Sequence, residues 1–185
     1  MIAVAESAGF CFGVSRAVET VEKAAGEGKR VVTLGPIIHN RHVVQRFEDM
    51  GVQVIDSPEQ AQPGMTVIIR SHGVSRTVIQ QLQERGVEIL DATCPFVKRI
   101  HELVSRGEAE GALPVIIGTR DHAEVQGIAG WCSDCRVFET PEELKNWVQN
   151  SKISHDTPVC MVCQTTSTES LWKNAAKLQK NCLLT

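Results

Sequence analysis

The chain has 185 residues, of which 42% are hydrophobic and 22% are charged, and its formal net charge is −3 at pH 7. This globular composition excludes a disordered chain, and the small negative charge excludes the basic surface that nucleic-acid-binding proteins use. The N-terminal residues do not form a signal peptide, and no apolar run approaches the roughly 18 residues of a membrane span. We therefore expect a cytoplasmic protein with no nucleic-acid or membrane partner.

Short apolar runs alternate with helical patterns along the chain. Such alternation is typical of an α/β fold, in which helices cover parallel sheets. Helices are predicted after each run, for example from about Val14 and from about Asn40. The predicted strands cover residues 2–5, 30–35, 66–71, 87–92, 113–118, 136–140 and 157–164.

Seven or eight strands are too many for one small sheet, so we predict repeated small α/β modules. We place a boundary near Cys94-Pro95, although no Gly/Ser-rich or Pro-rich linker marks it. The predicted organisation is an N-terminal strand and loop over 1–12, a first module over 13–94 and a second module over 95–185.

Many of the residues that follow the predicted strands have side chains that can ligate metals or transfer protons. In parallel sheets, ligands bind beyond the carboxyl ends of the strands. Residue types that ligate metals or handle protons occupy six such positions in succession, which predicts one composite site. They are Cys11, His39, His72, Cys94, His122 with Glu124, and Thr165.

These residue types indicate metal-assisted, proton-coupled chemistry on a phosphorylated small molecule. Cys11 and Cys94 are too far apart in sequence for a zinc knuckle, but an iron-sulfur cluster needs only thiolates that converge in space. Fewer than four protein ligands would leave one iron open to substrate. The three histidines, beside turns and helix N-termini, suit a diphosphate. Glu124 could supply an acid, and Thr165 could relay or orient a proton.

Six segments in the order GFCFGV, LGPIIHN, RSHGV, DATCPFV, HAEVQG and QTT closely resemble the 4-hydroxy-3-methylbut-2-enyl diphosphate reductases, which end the methylerythritol phosphate route to isoprenoids. The resemblance implies a reductive dehydroxylation, in which two electrons and two protons remove a hydroxyl group as water and give isopentenyl and dimethylallyl diphosphates. It also implies a [4Fe-4S] cluster, an allylic diphosphate substrate and a ferredoxin or flavodoxin-like electron donor.

The same resemblance implies a role for each strand-end residue. Cys11 and Cys94 would be cluster thiolates, and Glu124 would be the proton donor. Thr165 would belong to the proton-relay and substrate network. The diphosphate would be bound by His39, His72 and His122.

Members of that family are longer and have three α/β modules, the third of which supplies another cluster cysteine. We therefore expect two of the three modules here, in an incomplete and inactive chain that cannot hold a stable cluster alone. Within this chain, the candidate for the third thiolate is Cys182, in the sequence CLLT, which faintly echoes the family's pattern around that ligand. We expect Cys182 directly after the last helix, where the family's next strand would begin, and this position disfavours it.

Four further cysteines leave other interpretations open. Cys132 and Cys135, with Cys160 and Cys163, give two CxxC pairs that are typical of a structural zinc site. However, residues three apart in a strand point to opposite faces, which disfavours Cys160 and Cys163 as joint ligands. The WCSDC segment also resembles a thioredoxin-type redox motif. In that motif the thiolate is activated at the N-terminus of a helix that follows a strand, whereas here a predicted helix precedes the pair and a predicted strand follows it.

A third alternative is a non-catalytic relative that only binds diphosphate. The remaining histidines carry no functional prediction. We expect His42 and His101 to be surface or packing residues in helices, and His155 to lie in a loop.

Overall fold

The computed structural model describes the backbone of residues 3, 8–151, 153–154 and 156–183, and the side chains up to residue 178. The described residues fall into two compact units, Met1–Gly73 with Val78–Pro95 and Val74–Thr77 with Phe96–Thr185. Of the strand predicted over residues 2–5, only Ala3 is described, and His155 and the side chain of Cys182 lie outside the described residues.

The first unit is built on a four-stranded parallel sheet. Its helices are α1 (Phe12–Gly26), α2 (Arg41–Asp49) and α3 (Arg76–Glu84), which begins in the segment assigned to the second unit. The strand order is β2-β1-β3-β4, and all neighbours are parallel. The strands are β1 (Arg30–Leu34), β2 (Gln53–Ile55), β3 (Met65–Ile69) and β4 (Glu88–Asp91).

The apolar face of α1 explains why this helix packs on the sheet. Ala17, Val21 and Ala24 recur at helical spacing and are at most 2% exposed. They join Val31 of β1 and Ile68 of β3 in one core cluster. The predicted helix and its buried face are therefore confirmed, with the helix starting two residues earlier than predicted.

The second unit has a three-stranded parallel sheet in the order β6-β5-β7. Side chains alternate between its faces, so Ile116 and Val162 join one core cluster while Val115 and Ile117 join another. The elements are α4 (Pro95–Ala109), β5 (Leu113–Ile117), α5 (Ala123–Ala129), β6 (Arg136–Phe138), α6 (Pro141–Asn150), β7 (Val159–Cys163) and α7 (Glu169–Leu183).

The two sheets confirm the predicted α/β class with parallel strands. Two local expectations differ from the structure. The three-residue strand β2 was not predicted, and the backbone of Cys182 lies inside α7 rather than after the last helix. Among the described residues, no helix has the length and apolar character needed to cross a membrane.

Each sheet contains a point where the strand order reverses. In the first unit, β2 lies on one side of β1 and β3 lies on the other. In the second unit, β6 and β7 flank β5 in the same way. Connections leave such a point in opposite directions and open a crevice at the carboxyl ends of the two strands.

Candidate functional site

The two predicted thiolates of the first unit lie near the first turn of α1. Cys11 is the N-cap residue of this helix and is exposed, while half-buried Cys94 follows β4. A Cβ atom on Gly13 would lie 2.5 Å from the Cys94 sulfur, so only glycine leaves room for this thiol. Neither cysteine is in a disulfide.

Backbone hydrogen bonds join the three loops that carry Cys94 and the first two histidines. The Ser71 amide and hydroxyl both donate to the Ile37 carbonyl, at 3.3 and 3.2 Å. The Cys94 amide donates to the Ser71 carbonyl at 2.9 Å. The loops after β1, β3 and β4 are therefore fixed to one another at a single edge of the sheet.

Arg16 of α1 holds the loop before Cys94 from a second direction. Its guanidinium donates to the carbonyl oxygens of Thr93 and Asp91, at 2.9 and 3.1 Å. These bonds satisfy carbonyl groups just beyond the end of β4. The sequence analysis missed Arg16 and Ser71, because both act through backbone groups of distant residues; only the position of Ser71 inside RSHGV pointed to this region.

His39 and His72 meet at the reversal point of the first sheet. Their ring centroids are 4.6 Å apart and the rings are tilted by 42°. His39 is exposed and follows β1, while half-buried His72 follows β3. Two imidazoles at the end of adjacent strands can donate together to an anion with several oxygens.

Arg70 adds positive charge at the same edge and was also missed by the sequence analysis. Its Nη1 atom lies 2.3 Å from the position that a Cβ atom on Gly35 would occupy, and Gly35 has a φ angle of +70°. Burial lowers the pKa of Arg70 from its usual value, but a guanidinium still stays charged at neutral pH.

In the second unit, Glu124 and Thr165 form one hydrogen-bonded pair. Glu124, in the first turn of α5, is 1% exposed. The Thr165 amide donates to Oε1 at 2.6 Å, and the Thr165 hydroxyl donates to Oε2 at 2.8 Å. Thr165 itself is exposed, so it links the buried carboxylate to the surface of this unit.

His122 is the N-cap residue of α5. Its Nδ1 atom accepts a hydrogen bond from the Glu124 amide at 3.1 Å. While that bond is made, the proton of the neutral ring is on Nε2, which is therefore a donor. The cap thus fixes the tautomer as well as the start of the helix.

Gln164 connects the two strand ends of the second unit. Its side-chain oxygen accepts from the Thr119 amide at 3.1 Å, and its side-chain nitrogen donates to Thr166 Oγ1 at 2.7 Å. A Cβ atom on Gly118 would lie 2.8 Å from the Cβ atom of Gln164. Gln164 therefore positions the residue that follows it, Thr165, opposite α5.

The zinc alternative is wrong for the four remaining cysteines. No three of their sulfur atoms lie within 4.8 Å of one another. Cys160 packs against the Val104 and Ile116 side of the sheet, and Cys163 packs against the Val115 and Ile117 side. As their strand position predicted, the two thiols point to opposite faces of β7.

Among the other histidines, His42 is exposed in α2, and His101 in α4 is 4% exposed and stacks on Trp131 with ring centroids 4.9 Å apart. Both positions agree with the expectation of a surface and a packing residue.

The fold and these residues define a parallel α/β protein whose strand ends carry thiols, imidazoles and a buried carboxylate. Residues 2–183 match the family model described as LytB protein, and the chain belongs to this family.

Curated relatives of the chain are named 4-hydroxy-3-methylbut-2-enyl diphosphate reductase. One from Thermoanaerobacter sp. (strain X514) is 42% identical over 184 residues, which are 97% of this chain and 62% of the relative. One from Geobacter sulfurreducens is also 42% identical over 184 residues, which are 99% of this chain and 62% of the relative. The chain thus spans about three fifths of the length of these relatives.

Two solved structures have the same fold. The E-1-hydroxy-2-methyl-but-2-enyl-4-diphosphate reductase from Plasmodium falciparum matches with a TM-score of 0.87 and 28% identity, over 95% of this chain and 55% of that one. A second structure, of (E)-4-hydroxy-3-methyl-but-2-enyl diphosphate reductase, matches with a TM-score of 0.78 and 38% identity, over 96% of this chain and 63% of that one.

Proposed function

We propose that this chain forms the part of a 4-hydroxy-3-methylbut-2-enyl diphosphate reductase that binds the allylic diphosphate and delivers a proton to it. The pair formed by Glu124 and Thr165 is the observation that carries this proposal. Burying a carboxyl group that is 1% exposed and hydrogen-bonded to a threonine costs free energy, and general acids are a recurrent reason for such burial.

Cys11 and Cys94 would hold a [4Fe-4S] cluster, which supplies electrons and a Lewis-acidic iron when it is bound. Three observations support the fit of these residues to such a group. Both thiols are outside disulfides, Gly13 leaves room for the Cys94 sulfur, and Cys11 is exposed at the N-cap of α1. Electrons would come from a ferredoxin or flavodoxin-like donor.

The histidines would bind the diphosphate. His39 and His72 present two rings at one strand edge, and the tautomer of His122 leaves Nε2 as a donor. Arg70 would contribute a fixed positive charge to the field at the edge that carries His39 and His72. Imidazole donors of this kind can hold an anion with several oxygens without a lysine-rich surface.

Thr165 would relay the proton from Glu124. A hydroxyl group can donate and accept at once, so the Thr165 hydroxyl that contacts Glu124 Oε2 can take a proton from the acid and give one to the substrate. The Thr165 amide on Oε1 would keep the carboxyl group in one orientation during this transfer. A cytoplasmic location stays a prediction of the sequence.

The test uses the chain completed with the portion of the Geobacter sulfurreducens relative that it does not cover. After anaerobic reconstitution, we expect about four irons per chain and formation of isopentenyl and dimethylallyl diphosphates with a chemical reductant. Glu124→Gln keeps the size of the side chain and an acceptor for the Thr165 amide. It should lower product formation by about 10²-fold or more, because the donated proton is lost.

Glu142→Gln is the matched control, since Glu142 is exposed in the first turn of α6. This variant should turn over like the unchanged chain, and both variants should take up the same iron. Full activity of Glu124→Gln would contradict the proposal. Diphosphate binding without any turnover in the unchanged, iron-loaded protein would instead favour a non-catalytic relative.

A further inference from the structure

Cys132 and Cys135 lie in the turn between α5 and β6, away from the residues assigned above. Their side chains are hydrogen-bonded to each other, and both are half-buried, so reagents can reach them. The Cys132 thiol also lies 3.4 Å from the Ala129 carbonyl, at the end of α5. The two sulfur atoms are therefore already neighbours in the reduced protein.

Glu108 of α4 clamps the two residues between these cysteines. Its Oε1 atom accepts hydrogen bonds from the Ser133 amide and hydroxyl, both at 2.7 Å, and from the Asp134 amide at 3.2 Å. Three donors on one oxygen hold the intervening residues in a closed turn. The turn that carries the two cysteines is thus held in place by α4.

We propose that Cys132 and Cys135 form a reversible disulfide and act as a thiol-disulfide exchange site for low-molecular-weight disulfides. The site is separate from the proposed reductase residues, so it stands whether or not that function is correct. It requires only the closed turn, the contact between the sulfurs and access from solvent.

The hydrogen bond between the two thiols makes Cys135 the attacking group. This bond from Cys132 lowers the pKa of Cys135 to about 7; burial, Asp134 and Glu108 act against it, and Arg136 acts with it. The same hydrogen bond, together with burial, raises the pKa of Cys132. Cys135 is therefore the thiol of the pair that loses its proton more easily.

The exchange balances with a small disulfide as the oxidant. The Cys135 thiolate attacks one sulfur of oxidised glutathione, breaks its S–S bond and releases one glutathione thiolate. Cys132 then loses its proton, attacks the mixed disulfide at Cys135 and releases the second glutathione. The protein loses two electrons and two protons, and one oxidised glutathione becomes two reduced ones.

Cys160 and Cys163 provide an internal control with the same CxxC spacing. They lie in β7 and pack on opposite faces of the sheet, so their sulfurs cannot meet. Burial raises the pKa of both thiols. If CxxC spacing alone favoured disulfide formation, both pairs would form disulfides equally well.

The experiment exposes the reduced chain to glutathione buffers of increasing oxidised fraction, stops exchange with acid and maps disulfides by mass spectrometry. We expect a bond between Cys132 and Cys135 that dithiothreitol reverses, and none between Cys160 and Cys163. The fluorescence of the adjacent Trp131 should fall as this disulfide forms, with the same midpoint in the oxidised fraction of glutathione. Cys132→Ser should trap a glutathione adduct at Cys135, and Cys135→Ser should abolish the response.

Alkylation of the unmodified chain gives a second test that needs no variant. At pH 7, Cys135 should react about tenfold faster than Cys160, with a half-maximal rate near pH 7. The rate should rise with pH, because deprotonation makes the nucleophile. Two outcomes would overturn the proposal: both thiols surviving in buffers that oxidise free dithiols, or a disulfide between Cys160 and Cys163 forming as readily.

Discussion

The two units use the same strand-order reversal to present different chemistry. In the first unit, Cys11 and His39 are exposed, and backbone bonds through Ser71 fix the loops. In the second unit, Glu124 is buried, and backbone bonds between the strand ends are joined by side-chain bonds. The Gln164 side chain bonds the Thr119 amide, and the Thr165 hydroxyl bonds Glu124 of α5.

This difference follows from what each group must do. A thiol or imidazole that ligates or binds must present its donor atom outward, so these loops are fixed through their backbone carbonyl groups, which accept from backbone amides, Ser71 and Arg16. A carboxyl group that acts as an acid benefits from burial, which places it among neighbouring side chains that can hold it. Side chains that fix structure should therefore be more sensitive to mutation in the second unit than in the first.

Glu124→Ala and His39→Ala should give the largest difference in stability between the two units. Removing the Glu124 carboxylate leaves the Thr165 amide without its acceptor and opens a cavity, so the free energy of unfolding should fall by about 3 kcal/mol. His39→Ala, at an exposed site, should change it by less than about 0.5 kcal/mol. Urea denaturation followed by circular dichroism measures both, and equal losses would remove the distinction between the units.

Gly13→Ala tests the tight approach between α1 and the Cys94 sulfur in the first unit. The new methyl group would meet the Cys94 sulfur at 2.5 Å, so we expect a loss of about 2 kcal/mol and faster alkylation of the displaced Cys94.

Gly26→Ala is the matched change at the other end of α1, where a Cβ atom meets nothing within 4 Å. It should stabilise the chain by about 0.5 kcal/mol, because alanine is the better helix former. A neutral Gly13→Ala variant with unchanged Cys94 reactivity would show that this thiol does not rest on α1.

Gln164→Leu and Ser71→Ala compare the hydrogen bonds that fix the loops in the two units. Gln164→Leu leaves the Thr119 amide without its acceptor and should cost about 1.5 kcal/mol. Ser71→Ala should cost less than about 0.5 kcal/mol, because the Ser71 amide still donates to the Ile37 carbonyl. Thermal unfolding of the two variants side by side would show the order, and the reverse order would contradict backbone fixing in the first unit.

The sequence predicted most elements of the fold because its apolar runs are strong local signals. The strands β1, β3 and β5 have four or more buried residues each. The strand β6 has three residues with only Phe138 buried, but the helix that opens at Pro141 follows it closely. The strand β2 is as short, with only Ile55 buried, and no α-helix follows it directly, so it was missed. The helix α1 begins at Phe12, before the predicted start at Val14. Gly13 is a poor helix former, so the sequence did not favour it inside the helix, but its close contact with Cys94 requires glycine there.

The sequence by itself determined the α/β class, the positions of the strand-end cysteines and histidines, and the resemblance that led to the family. These properties depend on residue type and on spacing along the chain, which need no partner. Only the tertiary structure decided that Glu124 is buried against Thr165, that Arg16 and Ser71 hold the Cys94 loop, and that one CxxC pair closes while the other points apart. Those facts depend on contacts between residues that are distant in sequence, and local residue patterns do not specify such contacts.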